Sequence, residues 1–261
     1  MSARKLNRLR SQIDRLDQKI LGLLNDRSRV VLQVGKIKEA SRKEVYAPQR
    51  EKDLLDRLTR RNGGPFPNHA LRAVFREILS ASRALQSPLK VAYFGPAGSF
   101  TNLAALKQFG RSTDLAPEPS ISKVFDAVEH DRARFGVVPI ENSTEGIVGA
   151  TLDAFVDSTL NIVAEITLPI SHHLMARGSS LKGIRKIYSH PQAIAQCRTW
   201  LDENAPNLPV VEVENTARAA ERAAEEPDAA GIAGEHAAEV YGLKILRRNI
   251  EDNPNNRTRF V

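Results

Sequence analysis

Arg27 stands alone as a charge in an otherwise apolar helical stripe, Leu6, Leu9, Ile13, Leu16, Ile20, Leu23, then Val30, Val34 and Ile37. The spacing alternates between three and four residues, which predicts one long helix of about 35 residues with a coiled-coil-like seam. A charge in such a stripe is costly unless something neutralises it. Arg27 is therefore either a snorkelling or paired arginine, or an anion site inside a helical bundle. Lys38, eleven residues on, lies about 20° around the helix and roughly 16 Å along it, so the two side chains can flank one small dianion. Arg10 lies roughly 100° off that face and serves a neighbouring molecule more easily than its own site.

A second set of groups puts donors and acceptors at a strand end and a hydroxyl in a cationic setting. The apolar run Phe135–Ile140 breaks into Glu141-Asn142-Ser143-Thr144, and Asn256-Arg257-Thr258-Arg259-Phe260 sets a threonine between two arginines. Strand ends that open helices expose unpaired N–H groups and are where α/β sheets bind ligands. The plainer readings are a helix capped by Ser143 or Thr144 with Glu145 close behind, and a surface strand with solvated charges.

The elements that must position these groups fall into two sets. After the long helix, a second helix starts at Pro48 with Arg50 and Glu51 in its first turn and ends at Asn62-Gly63-Gly64-Pro65. A third starts near Pro67, with Leu71, Val74, Phe75, Ile78, Leu79 and Leu85 on one face and Ser82 and Gln86 on or beside it. Ser87-Pro88 ends it and places a domain boundary, giving 1–88 and 89–261. Beyond it, strand and helix patterns alternate, which predicts α/β layers with parallel strands. The expected helices include Ser120–Glu129, Ile147–Asp157, Pro191–Glu203 and Thr216–Glu225, and the expected strands include Phe135–Ile140, Ile162–Ile170 and Val210–Val213. Four polar strand ends, at Ser99, Glu141, Ser189 and Asn215, are expected to open helices and converge on one cleft.

Composition narrows the function. Residues 1–90 hold 21 Lys+Arg against 9 Asp+Glu and the remainder 17 against 22, so the first unit is basic and meets something anionic. No apolar run approaches the roughly 20 residues of a membrane span. No signal peptide is read, and the single cysteine, Cys197, excludes an internal disulfide and fits the cytoplasm. Gly95-Pro96-Ala97-Gly98-Ser99 lacks the Lys-Ser/Thr of a phosphate loop. The neighbours His172 and His173 point to opposite faces of a strand, and no ligand set has metal spacing, so no cofactor or metal is expected.

Residues 5–87 resemble the all-helical chorismate mutases through Leu9-Arg10-x-x-Ile13-Asp14-x-x-Asp17, Leu23-Leu24-x-x-Arg27, Val34-Gly35-Lys36-x-Lys38, Arg50-Glu51 and Ser82-x-x-x-Gln86. The resemblance implies an intertwined homodimer in which the long helices pair and each site borrows Arg10. It further implies that Arg27 and Arg50 hold the two carboxylates of chorismate, that Lys38 and Gln86 donate to the ether oxygen, and that Glu51 takes the ring hydroxyl, with Ser82 also at the substrate. Ala47 departs from the pattern, standing where such sequences often have Asp.

Residues 90–261 look like the prephenate dehydratases through Gly95-Pro96-x-Gly98-Ser99-Phe100, Val138-Pro139-Ile140-Glu141-Asn142-Ser143, Ser189-His190-Pro191-Gln192 with Cys197, Thr216-Ala217 and Asn256-x-Thr258-Arg259-Phe260. This implies two α/β lobes around a cleft, akin to the bilobal periplasmic binding proteins. Thr258 would then be the main catalytic residue, Asn142, Ser143, Gln192 and Thr216 would bind and orient prephenate, and Arg259 would supply charge for its carboxylates. Asn215 replaces a frequent Ser. Such proteins usually continue into a small regulatory domain of the ACT type that binds phenylalanine, and none is read within these 261 residues.

The implied whole is a bifunctional enzyme of phenylalanine biosynthesis that needs neither nucleic acid nor membrane. The rival is a ligand-binding transcription regulator with a basic helical head on a bilobal sensor. It requires short helix-turn-helix elements, which the unbroken seam from Leu6 to Ile37 contradicts.

Overall fold

The computed structural model describes residues 2–41 and 46–261. The chain separates into two units, Met1–Leu89 with Phe109–Thr113, and Lys90–Gln108 with Asp114–Val261.

The first unit is helical. Helix α1 spans Ser2–Ala40, α2 Pro48–Arg61 and α3 Asn68–Gln86. Pro48 occupies the first turn of α2, where a missing N–H costs nothing, and Pro67 is the N-cap residue of α3. Both α1 and α2 pack against α3. Much of the apolar ridge of α1 nevertheless faces outward: Ile13 is 57% exposed, Ile20 55% and Leu23 68%. Over its 39 residues the helix thus leaves most of its apolar seam exposed.

The second unit is built on three sheets. Strand β1 (Lys90–Phe94) leads through a turn to α4 (Phe100–Phe109), then β2 (Asp114–Glu118), α5 (Ile121–Glu129) and β3 (Phe135–Val137). These strands form a parallel sheet in the order β2-β1-β3. The chain then switches sheets at Val138 and makes a hairpin, β4 (Pro139–Asn142) and β5 (Gly146–Ile147), before α6 (Gly149–Val156) and β6 (Ile166–Pro169). Next come β7 (His173–Ala176), β8 (Lys186–Ser189), α7 (Pro191–Gln196), α8 (Arg198–Asn204), β9 (Val210–Glu212), α9 (Thr216–Glu225), β10 (Ala229–Ala233), α10 (Glu235–Tyr241) and β11 (Lys244–Arg247). Their sheet is mixed, in the order β11-β7-β10-β8-β9. The last strand, β12 (Arg257–Phe260), enters the hairpin sheet between β4 and β6, antiparallel to both.

Separate apolar cores back the β2-β1-β3 sheet and the five-stranded sheet. Ala92, Val124, Phe125 and Val138 pack together on the first lobe. Leu174, Ile187, Cys197, Leu201 and Ile232 fill the second.

Several boundaries differ from the sequence expectation. The segment Glu141–Thr144 does not open a helix: it turns a β-hairpin, because Asn142 bonds its own following backbone and Gly146, at φ 82°, takes the left-handed conformation. The expected strand over Phe135–Ile140 is split between two sheets, and the expected helix over Pro191–Glu203 breaks at Cys197. Only Ile166–Pro169 of the expected Ile162–Ile170 strand pairs. Strand β2 carries a weak sequence signal because it contains Pro117, a residue that sheets accept on an edge, where β2 lies. Among the described residues five of the nine strand pairings are antiparallel, since the alternation rule does not see hairpins or a returning C-terminal strand.

Helix α9 approaches β10 unusually closely, with Ala217, Ala219, Ala220 and Ala223 all fully buried. A Cβ at Gly231 would lie 2.6 Å from the Ala219 carbonyl oxygen and 2.9 Å from its carbon. Backbone cannot swing aside as a side chain can. Gly231→Ala is therefore expected to destabilise this unit by about 1–3 kcal/mol, read as a lowered urea midpoint at unchanged slope.

Candidate active sites

In the α/β unit the groups converge on Asn142, at the end of β4. Its Oδ1 accepts from the backbone N–H of Thr144 at 2.9 Å and of Glu145 at 3.1 Å. Its Nδ2 donates to Thr258 Oγ1 at 2.8 Å and to Asn256 Oδ1 at 3.0 Å. Ser143 Oγ donates to Asn256 Oδ1 at 3.3 Å and accepts from the Arg257 backbone N–H at 2.9 Å. Asn142 and Thr258 also face each other in the β4–β12 register, so the strand pairing itself delivers the contact. Thr258 and Asn256 are buried, at 8% and 2% exposure.

These bonds decide what the Thr258 hydroxyl can do. Its oxygen accepts from Asn142, and its proton has no acceptor among the described residues. The group is therefore an oriented donor. The amide that orients it would also stabilise negative charge left on Oγ1 when the proton moves.

The network continues to a turn of helix. Asn256 Nδ2 donates to Gln196 Oε1 at 3.2 Å, and the same oxygen lies 2.9 Å from His172 Nε2. Phe100, the first residue of α4, sits edge-on to the His172 ring with centroids 6.0 Å apart. Burial is the leading cause holding the His172 imidazole below its ordinary pKa, outweighing the opposing effect of the Gln196 contact. The ring is neutral at physiological pH.

In the helical unit Arg27 Nη1 donates to Ser82 Oγ, whose own proton goes to the Ile78 carbonyl at 2.6 Å. Burial lowers the Arg27 pKa, and the Glu51 charge partly offsets it. Arg83 is buried at 4% exposure and donates to Glu51 Oε1 and to the Phe109 carbonyl of the same unit. Its guanidinium also lies over the Tyr46 ring, 5.1 Å from the centroid. A Cβ on Gly35 would lie 2.9 Å from Gln86 Cγ, so glycine in α1 lets the Gln86 side chain reach it. Gln86 Nε2 reaches back to the Ser82 carbonyl at 3.4 Å, and its Oε1 is buried without a partner among the described residues.

Two family models match the chain: prephenate dehydratase over residues 91–261 and chorismate mutase type II over residues 9–87. A bifunctional chorismate mutase/prephenate dehydratase of Aquifex aeolicus is 45% identical over 261 residues, covering 98% of this chain and 72% of that protein. The Escherichia coli K12 protein of the same name is 34% identical, covering 97% and 70%. Among solved structures, a prephenate dehydratase from Arthrobacter aurescens in complex with L-Phe superposes with a TM-score of 0.60 at 37% identity, covering 66% of this chain and 59% of that one. The chain belongs to the bifunctional chorismate mutase/prephenate dehydratase family.

Not every residue that the family resemblance singles out falls in these networks. Asn142, Ser143 and Thr258 come together directly. Gln192 and Thr216, both half-buried, lie in the first turns of α7 and α9, and Thr216 follows Asn215, which caps α9 by accepting from the Arg218 backbone N–H at 2.8 Å. Arg259 is on the other face of β12 from Thr258, paired with Glu141 at 2.7 Å and Glu165 at 3.6 Å. Of the mutase set, Arg27, Ser82, Glu51 and Gln86 share one region, Lys38 is half-buried on α1, and Arg10 and Arg50 are exposed.

The sequence reading missed Gln196, His172 and Arg83. A signal existed for Gln196: it lies one helical turn after Gln192 and is the polar residue beside Ala193, Ile194 and Cys197. Arg83 follows Ser82 on the buried face of α3, and a buried arginine demands a partner.

Among the described residues no group of three or more His, Cys, Asp or Glu could hold a metal ion. No helix among them is long and apolar enough to cross a membrane. The Cys197 thiol is fully buried and burial raises its pKa, which makes it a packing group rather than a nucleophile.

Asn142→Asp keeps the shape but replaces the Nδ2 donor by an oxygen facing Thr258 and Asn256. It is expected to lower turnover of prephenate by about a hundredfold or more while chorismate consumption stays unchanged, measured in parallel on one preparation.

Proposed function

We propose that residues 1–88 rearrange chorismate to prephenate and residues 89–261 convert prephenate to phenylpyruvate, water and carbon dioxide. The chain is thus a bifunctional chorismate mutase (isomerase) and prephenate dehydratase (lyase) of phenylalanine biosynthesis. The observation that carries this reading is the pair of family matches side by side, with the Asn142-held Thr258 hydroxyl in the second segment.

In the mutase the reaction is pericyclic and needs no nucleophile. The protein has only to fold the substrate and complement its charge. Arg27, held by Ser82 rather than by a carboxylate, keeps its charge available for a carboxylate of chorismate, with Arg50 for the other. Lys38 and Gln86 donate toward the ether oxygen as the bond breaks. Glu51, drawn to Arg83, takes the ring hydroxyl with its second oxygen. Arg10, exposed on α1, acts in the partner's site across a homodimer formed by the apolar ridge of α1.

In the dehydratase the ring carboxylate leaves as carbon dioxide. Its bonding electrons move through the ring and expel the ring hydroxyl, which leaves as water after taking the Thr258 proton. The threonine regains a proton from solvent. A neutral hydroxyl is a poor acid, so its effect comes from placement and from the Asn142 donor. Ser143, Gln192 and Thr216 orient the substrate. Arg259, tied to Glu141 and Glu165, contributes positive charge at the rim of the site. The site chemistry requires no cofactor, and the lone buried thiol suits a cytoplasmic enzyme.

Chorismate supplied to the purified protein is expected to give phenylpyruvate after a prephenate lag. Arg27→Ala should abolish chorismate consumption and spare dehydration of supplied prephenate, and Thr258→Ala should do the reverse. Loss of both activities from either change in a folded protein would overturn the two-site reading. For the dimer, Ile20→Glu is expected to give monomers in sedimentation and to cut mutase activity by at least about tenfold, leaving dehydration intact. A wild-type monomer with full mutase activity would refute it.

A further inference from the structure

Backbone N–H groups can only donate, and this fixes the direction of every bond that follows from Asn142. Because Thr144 and Glu145 present N–H groups, the Asn142 atom they meet is its oxygen, and its Nδ2 must face Asn256 and Thr258. The Asn256 atom meeting that donor is in turn an oxygen, so Asn256 turns its own Nδ2 toward Gln196. Gln196 answers with Oε1, and the His172 nitrogen 2.9 Å from that oxygen must carry a proton. Four side chains are oriented in series from two backbone groups, and the last settles the tautomer of a buried ring.

The arrangement leaves two buried atoms over: Gln196 Nε2 and His172 Nδ1 have no partner among the described residues. Flipping the Gln196 amide would place a donor against the Asn256 donor. Native proteins rarely leave buried polar atoms unpaired without a reason, and here the reason is the fixed orientation of Asn256 beside Thr258. His172 is suited to hold that end. It is 3% exposed, its backbone N–H donates to Glu251 at 2.9 Å, and Phe100 packs edge-on against its ring.

We propose that His172, as the Nε2–H tautomer, is a positioning residue for the dehydratase, acting through Gln196 and Asn256 to hold Asn142 and Thr258 in register. The proposal rests on the dehydratase reading above. Without the His172 donor, Gln196 Oε1 keeps one partner, the amide gains rotational freedom, and Asn256 loses its fixed acceptor. Gln192 and Thr216 lie outside this chain of bonds, so the loss falls on turnover.

The test compares His172→Leu and His172→Gln in the full chain, with prephenate as substrate and near-ultraviolet circular dichroism of the α/β unit as the control for its fold. His172→Leu is expected to lower dehydratase kcat by about tenfold or more with KM within about twofold. His172→Gln, which carries an amide N–H to the place of the ring Nε2, is expected to recover most of that loss. Wild-type kcat in the Leu variant would overturn the proposal. So would a Gln variant as slow as the Leu variant, which would assign the effect to ring packing against Phe100. Nitrogen NMR of the wild-type ring provides a reading independent of any variant: a proton on Nε2 with bare Nδ1 supports the wiring, and the opposite tautomer refutes it. Wild-type protein that leaves prephenate unchanged would instead remove the dehydratase reading, a result distinguishable from failure of the His172 variants alone.

Discussion

A primary amide has one end that only accepts and one that only donates, and the network at the end of β4 is organised by that asymmetry at Asn142. Two backbone N–H groups of the hairpin claim its oxygen, so its nitrogen is left for Thr258 and Asn256. A buried hydrogen bond contributes only about 1 kcal/mol net, whereas a buried polar group left without a partner costs about 1–3 kcal/mol. The arrangement is thus enforced more by what its disruption would cost than by the strength of any bond in it. Much of the local fold serves it. The break at Val138 moves the chain from one sheet to another, Gly146 closes the hairpin, and the C-terminal strand enters between β4 and β6 to set Thr258 opposite Asn142.

The helical unit solves a different problem, that of keeping cations near one interior. Arg83 and Glu51 neutralise one another, with Tyr46 stacked over the guanidinium, and this ion pair is largely withdrawn from water. Arg27 has a hydroxyl as its direct partner instead of a carboxylate. Burial lowers its pKa, and the nearby Glu51 charge partly offsets that shift. An anion entering beside Arg27 thus meets a charge that no carboxylate holds directly. The proposed dimer would complete this unit, since the ridge of α1 is apolar where no other described helix covers it.

The two sites draw on different physics, and that is consistent with one chain carrying both. A pericyclic rearrangement asks for complementary charge and shape. Loss of water and carbon dioxide asks for a placed proton. The first can be built from long cationic side chains on helices, which reach inward from fixed 3.6-residue spacing. In the α/β unit two short side chains, of Asn142 and Thr258, are brought within 2.8 Å by the pairing of β4 with β12.

The sequence by itself determined the long helical seam with Arg27 inside it and the residue types that stand at the strand ends of the α/β unit. These are local matters of period and residue type, and the family motifs added their meaning. Opposite strand faces for Thr258 and Arg259 were also implicit, because neighbours in a strand alternate. Tertiary structure alone decided that Glu141–Thr144 is a hairpin, that Arg83 takes Glu51, and that Gln196 and His172 lie behind Asn256. Those contacts join residues far apart in the chain, Asn142 and Thr258 by 116 positions. Periodicity cannot report them, because which polar group finds which partner is settled only when the sheets have folded and buried them.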